Sequence, residues 1–251
     1  MVPATKGKED KKIYSRLERL RKNETTGQDL SDAILGANDG IITTFVVVAG
    51  AVGATLGPIV ILIIGFANVL GDAVSMGFGN YLGRKSQADY HKGQREDEER
   101  QIETHPKEER QEIRKIFSDW GFKSKDLDKA VEIVTADKKV WVDVMMKEEL
   151  GVMEQESGHA KRSGLVTFIA FVIAGCVPLL PFLFPLASGT ATFLATVLSG
   201  AELFVIGSLR SLVTPVKWFK AGVEMLLVGA IAGGLAYAVG TLLDRIVGSV
   251  L

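Results

Sequence analysis

Cysteine is almost absent. Cys176 is the only one and falls in an apolar run, so neither an intramolecular disulfide nor a cysteine-based zinc site can form. Histidine is nearly as scarce. His91, His105 and His159 show no HxxxH or HExxH spacing, and each reads first as a surface residue. The first thirty residues lack the apolar core of a secretory signal. Their charged run, KGKEDKKIYSRLERLRKNE, predicts either a short amphipathic helix on a membrane surface or an irregular arm. The charged middle of the chain has no alternating apolar pattern and no turn-rich hairpin, so no strand is expected there.

What the chain does have is hydrophobicity in blocks. Mean hydropathy is +0.22 although 24% of residues are charged. The two coexist because the charge is segregated. Residues 1–30 and 84–162 are polar, whereas 31–83 and 163–251 are mostly apolar. This describes one membrane domain interrupted by one soluble insertion. A spanning helix needs about 20 apolar residues. Five segments qualify, at roughly 33–56, 59–83, 163–186, 189–212 and 221–247. Gly57-Pro58 separates the first two, and the PLLPFLFP run at 178–185 ends the third.

Basic residues fit five spans. Eight Lys/Arg precede residue 31, seventeen lie in 84–162 and three in 210–220, so 28 of 29 fall on one side. The positive-inside rule makes that side cytoplasmic. The expected fold is therefore an all-α integral membrane protein. It comprises a cytoplasmic N-terminal segment (1–30), spans 1 and 2 (31–85), a cytoplasmic helical domain (86–162) and spans 3 to 5 (163–251). Within the insertion, helices are predicted over 86–104, continuing span 2, and over 107–118, 124–136 and 138–158. Dense glycines in the spans favour close helix packing.

Carboxylates inside a bilayer are costly, so each is a candidate functional group. Asn68, Asp72, Met76 and Asn80 recur every fourth residue and share one face of span 2. Asp32, Gly36, Asp39 and Thr43 fall near one face of span 1. Met76 alone would read as core filler. A thioether one turn from a carboxylate, with a second acid on the neighbouring span, suits a divalent transition metal better than magnesium or calcium. Carboxylates bind metal only when deprotonated, so metal and proton compete for the same oxygens. That competition is the simplest basis for metal–proton exchange. Glu202 in span 4 and Glu224 in span 5 are weaker candidates, as proton sites, helix–helix hydrogen bonds or interfacial residues.

The insertion carries acidic clusters at 95–100, 107–112 and 147–150. Each could be a solvated helix face. The Met145-Met146-Lys147-Glu148-Glu149 run is more pointed, because soft sulfur beside hard oxygen suits Fe(II)-like ions. A ferritin-like oxidase would need ExxH pairs, which are absent. No enzyme, tightly bound cofactor or nucleic-acid partner is expected.

Four stretches together, NDGIITTFVVVAGAVGA, DAVSMGFGNYLGRKSQADY, WVDVMMKEELG and WFKAGVEMLLVGAIAGGLAY, resemble the vacuolar iron transporter family, over about 29–245. The resemblance implies a five-span homodimer with a cytoplasmic metal-binding domain between spans 2 and 3. It implies proton-driven export of Fe(II), often with Mn(II), from the cytoplasm. It makes Asp39 and Met76 membrane metal ligands, contributed by both protomers at the dimer axis; the two polar stripes, facing each other, would line a pathway that adds Asp72, Thr43 and Asn80. In the insertion it makes Glu98, Glu109, Glu112, Met145, Met146 and Glu149 metal-binding positions. Gln101 falls where the family usually has glutamate, with Glu99, Glu103 and His105 nearby as replacements. Asp72 replaces a small residue, and Asn80 stands where glutamate is common. Zinc and cobalt would also find ligands here. The membrane would be vacuolar in a eukaryote and plasma membrane in a prokaryote. The rival reading is a membrane-anchored metal sensor or store without transport.

Overall fold

A computed structural model describes the backbone of residues 6–151 and 159–248, and side chains from residue 25 onward. Among these residues there are helices and no strand. The helices are α1 (Lys6–Gly53), α2 (Pro58–Thr104), α3 (Pro106–Asp119), α4 (Ser124–Thr135), α5 (Lys138–Glu148), α6 (His159–Cys176), α7 (Ser188–Leu209) and α8 (Trp218–Gly248). Five helices are long and apolar enough to cross a membrane: Thr25–Gly53, Pro58–Thr104, His159–Leu183, Ser188–Leu212 and Trp218–Gly248.

The helix ends follow local chemistry. Gly57 and Pro58 break the chain between α1 and α2, and Thr55 takes a positive φ of 54° in that turn. After Cys176 the prolines at 178 and 181 tighten α6 into a 3₁₀ segment, Val177–Leu183. Pro106 opens α3, where the missing N–H costs nothing. Asp137 caps α5 by accepting from the backbone N–H groups of Lys139 (2.8 Å) and Val140 (3.3 Å).

Two expectations differ from the structure. The N-terminal segment is not a separate surface helix, because residues 6–30 are continuous with span 1 in α1. Gly27 is the only breaker between Asn23 and Gly36 and is tolerated there. The fourth insertion helix stops at Glu148 rather than 158. Gly151 adopts a left-handed φ of 64°, which ends helical geometry, and 152–158 lie outside the described residues.

The chain divides into two compact units, residues 1–81 with 161–251, and residues 82–160. In the first unit α1 packs against α8 and α7, and α7 against α8. Glycine permits backbone contact at the tightest crossings. A Cβ on Gly36 would sit 2.3 Å from the Thr167 carbonyl oxygen, and one on Gly40 would sit 2.5 Å from that of Phe171. Near the other end, a Cβ on Gly240 would lie 2.1 Å from the Gly50 carbonyl oxygen. In the second unit, the end of α2 joins α3, α4 and α5 around Ile102, Ile113, Phe117, Val131, Trp141 and Val142.

Candidate metal pathway and carboxylate cluster

In the first unit, the structure sorts the polar residues of spans 1 and 2 into two groups. Asn68 Nδ2 donates to Asp72 Oδ2 at 2.9 Å, one turn along α2. Asp39 stands on α1 and Asp72 on α2, the first two spans. Asp39, Asp72 and Met76 are all half-buried in the single chain. Thr43 is on the same face of α1, but its hydroxyl donates to the Asp39 carbonyl oxygen at 2.9 Å. Its side chain is thus satisfied by its own helix.

Asn80 belongs to the second group. Its Nδ2 donates to Asp32 Oδ1 at 3.0 Å and to Thr167 Oγ1 at 2.7 Å. Asp32 is buried, at 3% exposure, and Thr167 is fully enclosed. One amide therefore joins spans 1, 2 and 3. Thr167 was not foreseen from sequence, because a single hydroxyl in an apolar run gives no periodic signal.

The other intramembrane acids differ from each other. Glu224 pairs with Arg210 at 3.8 Å, which accounts for it as an interfacial residue. Glu202 Oε2 and Ser199 Oγ, one turn apart on α7, are buried without a hydrogen-bond partner.

In the second unit, carboxylates of α2, α3 and the residue after α5 lie near one another. Glu98 (α2) and Glu109 (α3) are buried, at 3% and 4% exposure, and each keeps one enclosed oxygen without a donor. Glu112 (α3) and Glu149 (just after α5) form an exposed rim. Burial pushes the Glu98 carboxyl up to about 8, helped by the charges of Glu109, Glu149 and Glu112. Glu109 and Glu149 are raised as well, in each case chiefly by burial and then by the Glu112 carboxylate. Glu98 and Glu109 share a hydrogen bond, so the inner pair holds a proton between two oxygens near neutrality.

The remaining insertion residues named from sequence are placed as follows. Met145 and Met146 lie in the buried core of the insertion, at 0% and 6% exposure. Gln101 is exposed. Of its possible replacements, Glu99 pairs with Arg95 at 3.5 Å and Glu103 with Lys138 at 2.5 Å. His105 is not tied to a cation. Its Nδ1 lies 2.8 Å from Thr104 Oγ1, and its charge acts on Glu109. Among the described residues, no three His, Cys, Asp or Glu side chains converge as a ready-made cation cage. The cluster consists of an inner and an outer carboxyl pair, which a cation could draw together only by displacing the shared proton.

Five apolar helices, with acids inside the first two spans and clustered carboxylates in a helical insertion, define a multi-span α-helical membrane protein. The model of the VIT family matches residues 30–241. The chain is 34% identical to a vacuolar iron transporter of Plasmodium berghei, over 95% of this chain and 91% of the relative. It is 35% identical to a vacuolar iron transporter of Toxoplasma gondii, over 99% and 86%. Against vacuolar iron transporter 2 of Oryza sativa the identity is 32%, over 88% and 89%. The chain belongs to the VIT family, whose members are transporters and not enzymes.

Proposed function

We propose that this protein is a proton-coupled exporter of Fe(II), and of Mn(II), that works as a homodimer. The observation that carries the reading is the placement of Asp39 and Asp72 as half-buried acids on the first two spans, with Met76 one turn from Asp72. Two like charges in a bilayer call for a cation between or beside them. A proton can fill that role when no metal is present, and a metal can displace the proton, which couples the two flows.

A second copy would complete the membrane site. Gly79 and Gly83 flank the Met76 face of α2 and have open space where a Cβ would be. Packed against its own image there, the chain would bring two Asp39 carboxylates and two Met76 thioethers to one axis. Glu98, Glu109, Glu112 and Glu149 would collect the ion on the basic, cytoplasmic side, with Gln101 at the rim and the Met145 and Met146 sulfurs as inner ligands. Zinc and cobalt would compete for the same donors. The vacuolar membrane of a eukaryote or the plasma membrane of a prokaryote is the expected place.

Proteoliposomes containing a metal dye and a pH dye test this directly. Fe(II) entry with proton movement the other way, lost in Asp39→Ala while the protein still folds, is the expected result. Metal binding without flux in the wild type would instead make the chain a membrane-anchored sensor or store.

A further inference from the structure

We infer that a groove between α2 and α6, at the basic end of the spans, holds an anionic phospholipid, with its phosphate at Lys161 and one acyl chain along the groove. The groove has a volume of about 270 Å³. Its floor is made where Gly77 and Gly164 cross. A Cβ on Gly164 would lie 2.6 Å from the Gly77 carbonyl oxygen, so the two backbones touch. Val74, Phe78, Leu165 and Phe168 stand beside that contact as apolar walls, and the first three are exposed.

At the basic end of the groove, Lys161 and Tyr81 line it almost wholly through apolar atoms. Lys161 makes no ion pair with any described residue, whereas the adjacent Arg162 is held by Asp29 at 2.6 Å. An ammonium without an ion pair among the described residues, on a stem that lines an apolar slot, matches a phosphate followed by a hydrocarbon chain. Basic pockets between spanning helices bind acidic headgroups in this way. The slot from Tyr81 to Val74 covers eight residues of helix, about 10 Å, enough for the upper part of an acyl chain.

The helix wheel separates this groove from any partner copy. Val74 and Phe78 each lie two residues from Met76, roughly 160° around α2 from the polar stripe. A copy docked on the Asp72–Met76 face leaves the groove facing lipid.

The test uses the full-length protein in detergent, titrated with dioleoyl phosphatidylglycerol or phosphatidylcholine and read by native mass spectrometry. Wild type should retain the anionic lipid about tenfold more strongly. Lys161→Gln should bring the ratio to within about twofold, and Lys161→Arg should keep it. Leu165→Trp, which narrows the slot without touching charge, should weaken retention of both lipids. Inorganic phosphate should not displace the bound lipid. Equal retention of both lipids by wild type would overturn the assignment. So would an equal loss in Lys220→Gln, which would mean diffuse attraction to the basic surface. Displacement by phosphate alone would also overturn it, in favour of a free-anion site.

Discussion

Asn80 on α2 donates to the Asp32 carboxylate on α1 at 3.0 Å while also donating to Thr167 on α6 at 2.7 Å. The amide spends both hydrogens on side chains of other spans. Asn80→Leu keeps the size and removes both donors, leaving a buried carboxylate with fewer partners. Losing donors to a buried acid costs roughly 1–3 kcal/mol. Thermal unfolding of the purified protein should fall accordingly, and an unchanged midpoint would show that the amide does not tie the spans together.

Thr43 and Asp39 share a face but should behave differently. The Thr43 hydroxyl is already bonded to the Asp39 carbonyl oxygen, so Thr43→Val should change metal flux less than about twofold. Asp39→Asn, which keeps shape and removes charge, should reduce flux by at least tenfold, about 1.4 kcal/mol in the transport barrier. Liposome flux on both variants decides the matter; equal losses would put the hydroxyl on the pathway.

Glu98 should make the insertion pH-sensitive. Its carboxyl is raised from 4.5 to about 8, so the folded state keeps a proton that the unfolded chain has lost. Its contribution is complete below the unfolded value and diminishes as pH rises from about 4.5 to 8. Glu98→Gln keeps a neutral side chain and should flatten that decline. Hydrogen exchange over 106–148 at several pH values would read it, and an equally steep decline in the variant would contradict the assignment. With one proton displaced per ion, metal affinity of the wild-type cluster should rise about tenfold per pH unit below 8.

Gly36→Ala should be poorly tolerated. The added Cβ would lie 2.3 Å from the Thr167 carbonyl oxygen, a backbone atom that cannot rotate aside. Overpacking of this kind costs about 1–3 kcal/mol. The matching change at Gly27, where nothing lies within 4 Å, should be neutral or slightly stabilising. Melting both variants side by side tests the closeness of the crossing.

The spans were legible because hydrophobic length and basic-residue placement are properties of long segments. Helix ends at Pro58, Pro106 and the prolines after Cys176 were legible for the same reason that proline is local. The end of α5 was missed because Gly151 lies inside a run of good helix formers, and only its positive φ shows the stop. The site was legible as a set of acids but not as an arrangement. Equal spacing placed Asn68, Asp72, Met76 and Asn80 in one stripe, yet hydrogen bonding separates Asn80 from Asp72. Spacing fixes which face a side chain starts from. Its partners are fixed by helices distant in sequence, as with Asn80 and Thr167. Likewise, the sequence made Glu98 and Glu112 equivalent, whereas packing encloses one and exposes the other.

The glycine crossings also constrain how the spans can move. Near the middle of span 1, α1 touches α6 through Gly36 and Gly40, and at its end it touches α8 where Gly240 packs on Gly50 and where Gly53 meets Tyr237. Sliding either seam by one residue, about 1.5 Å, would bring a methyl or larger group to a place that accepts only a hydrogen. Span 1 is therefore a keel: it can tilt or roll with its neighbours, but it cannot ratchet along them. Asp39 sits between Gly36 and Gly40 on the α6 seam, so its height along α6 is set by that contact.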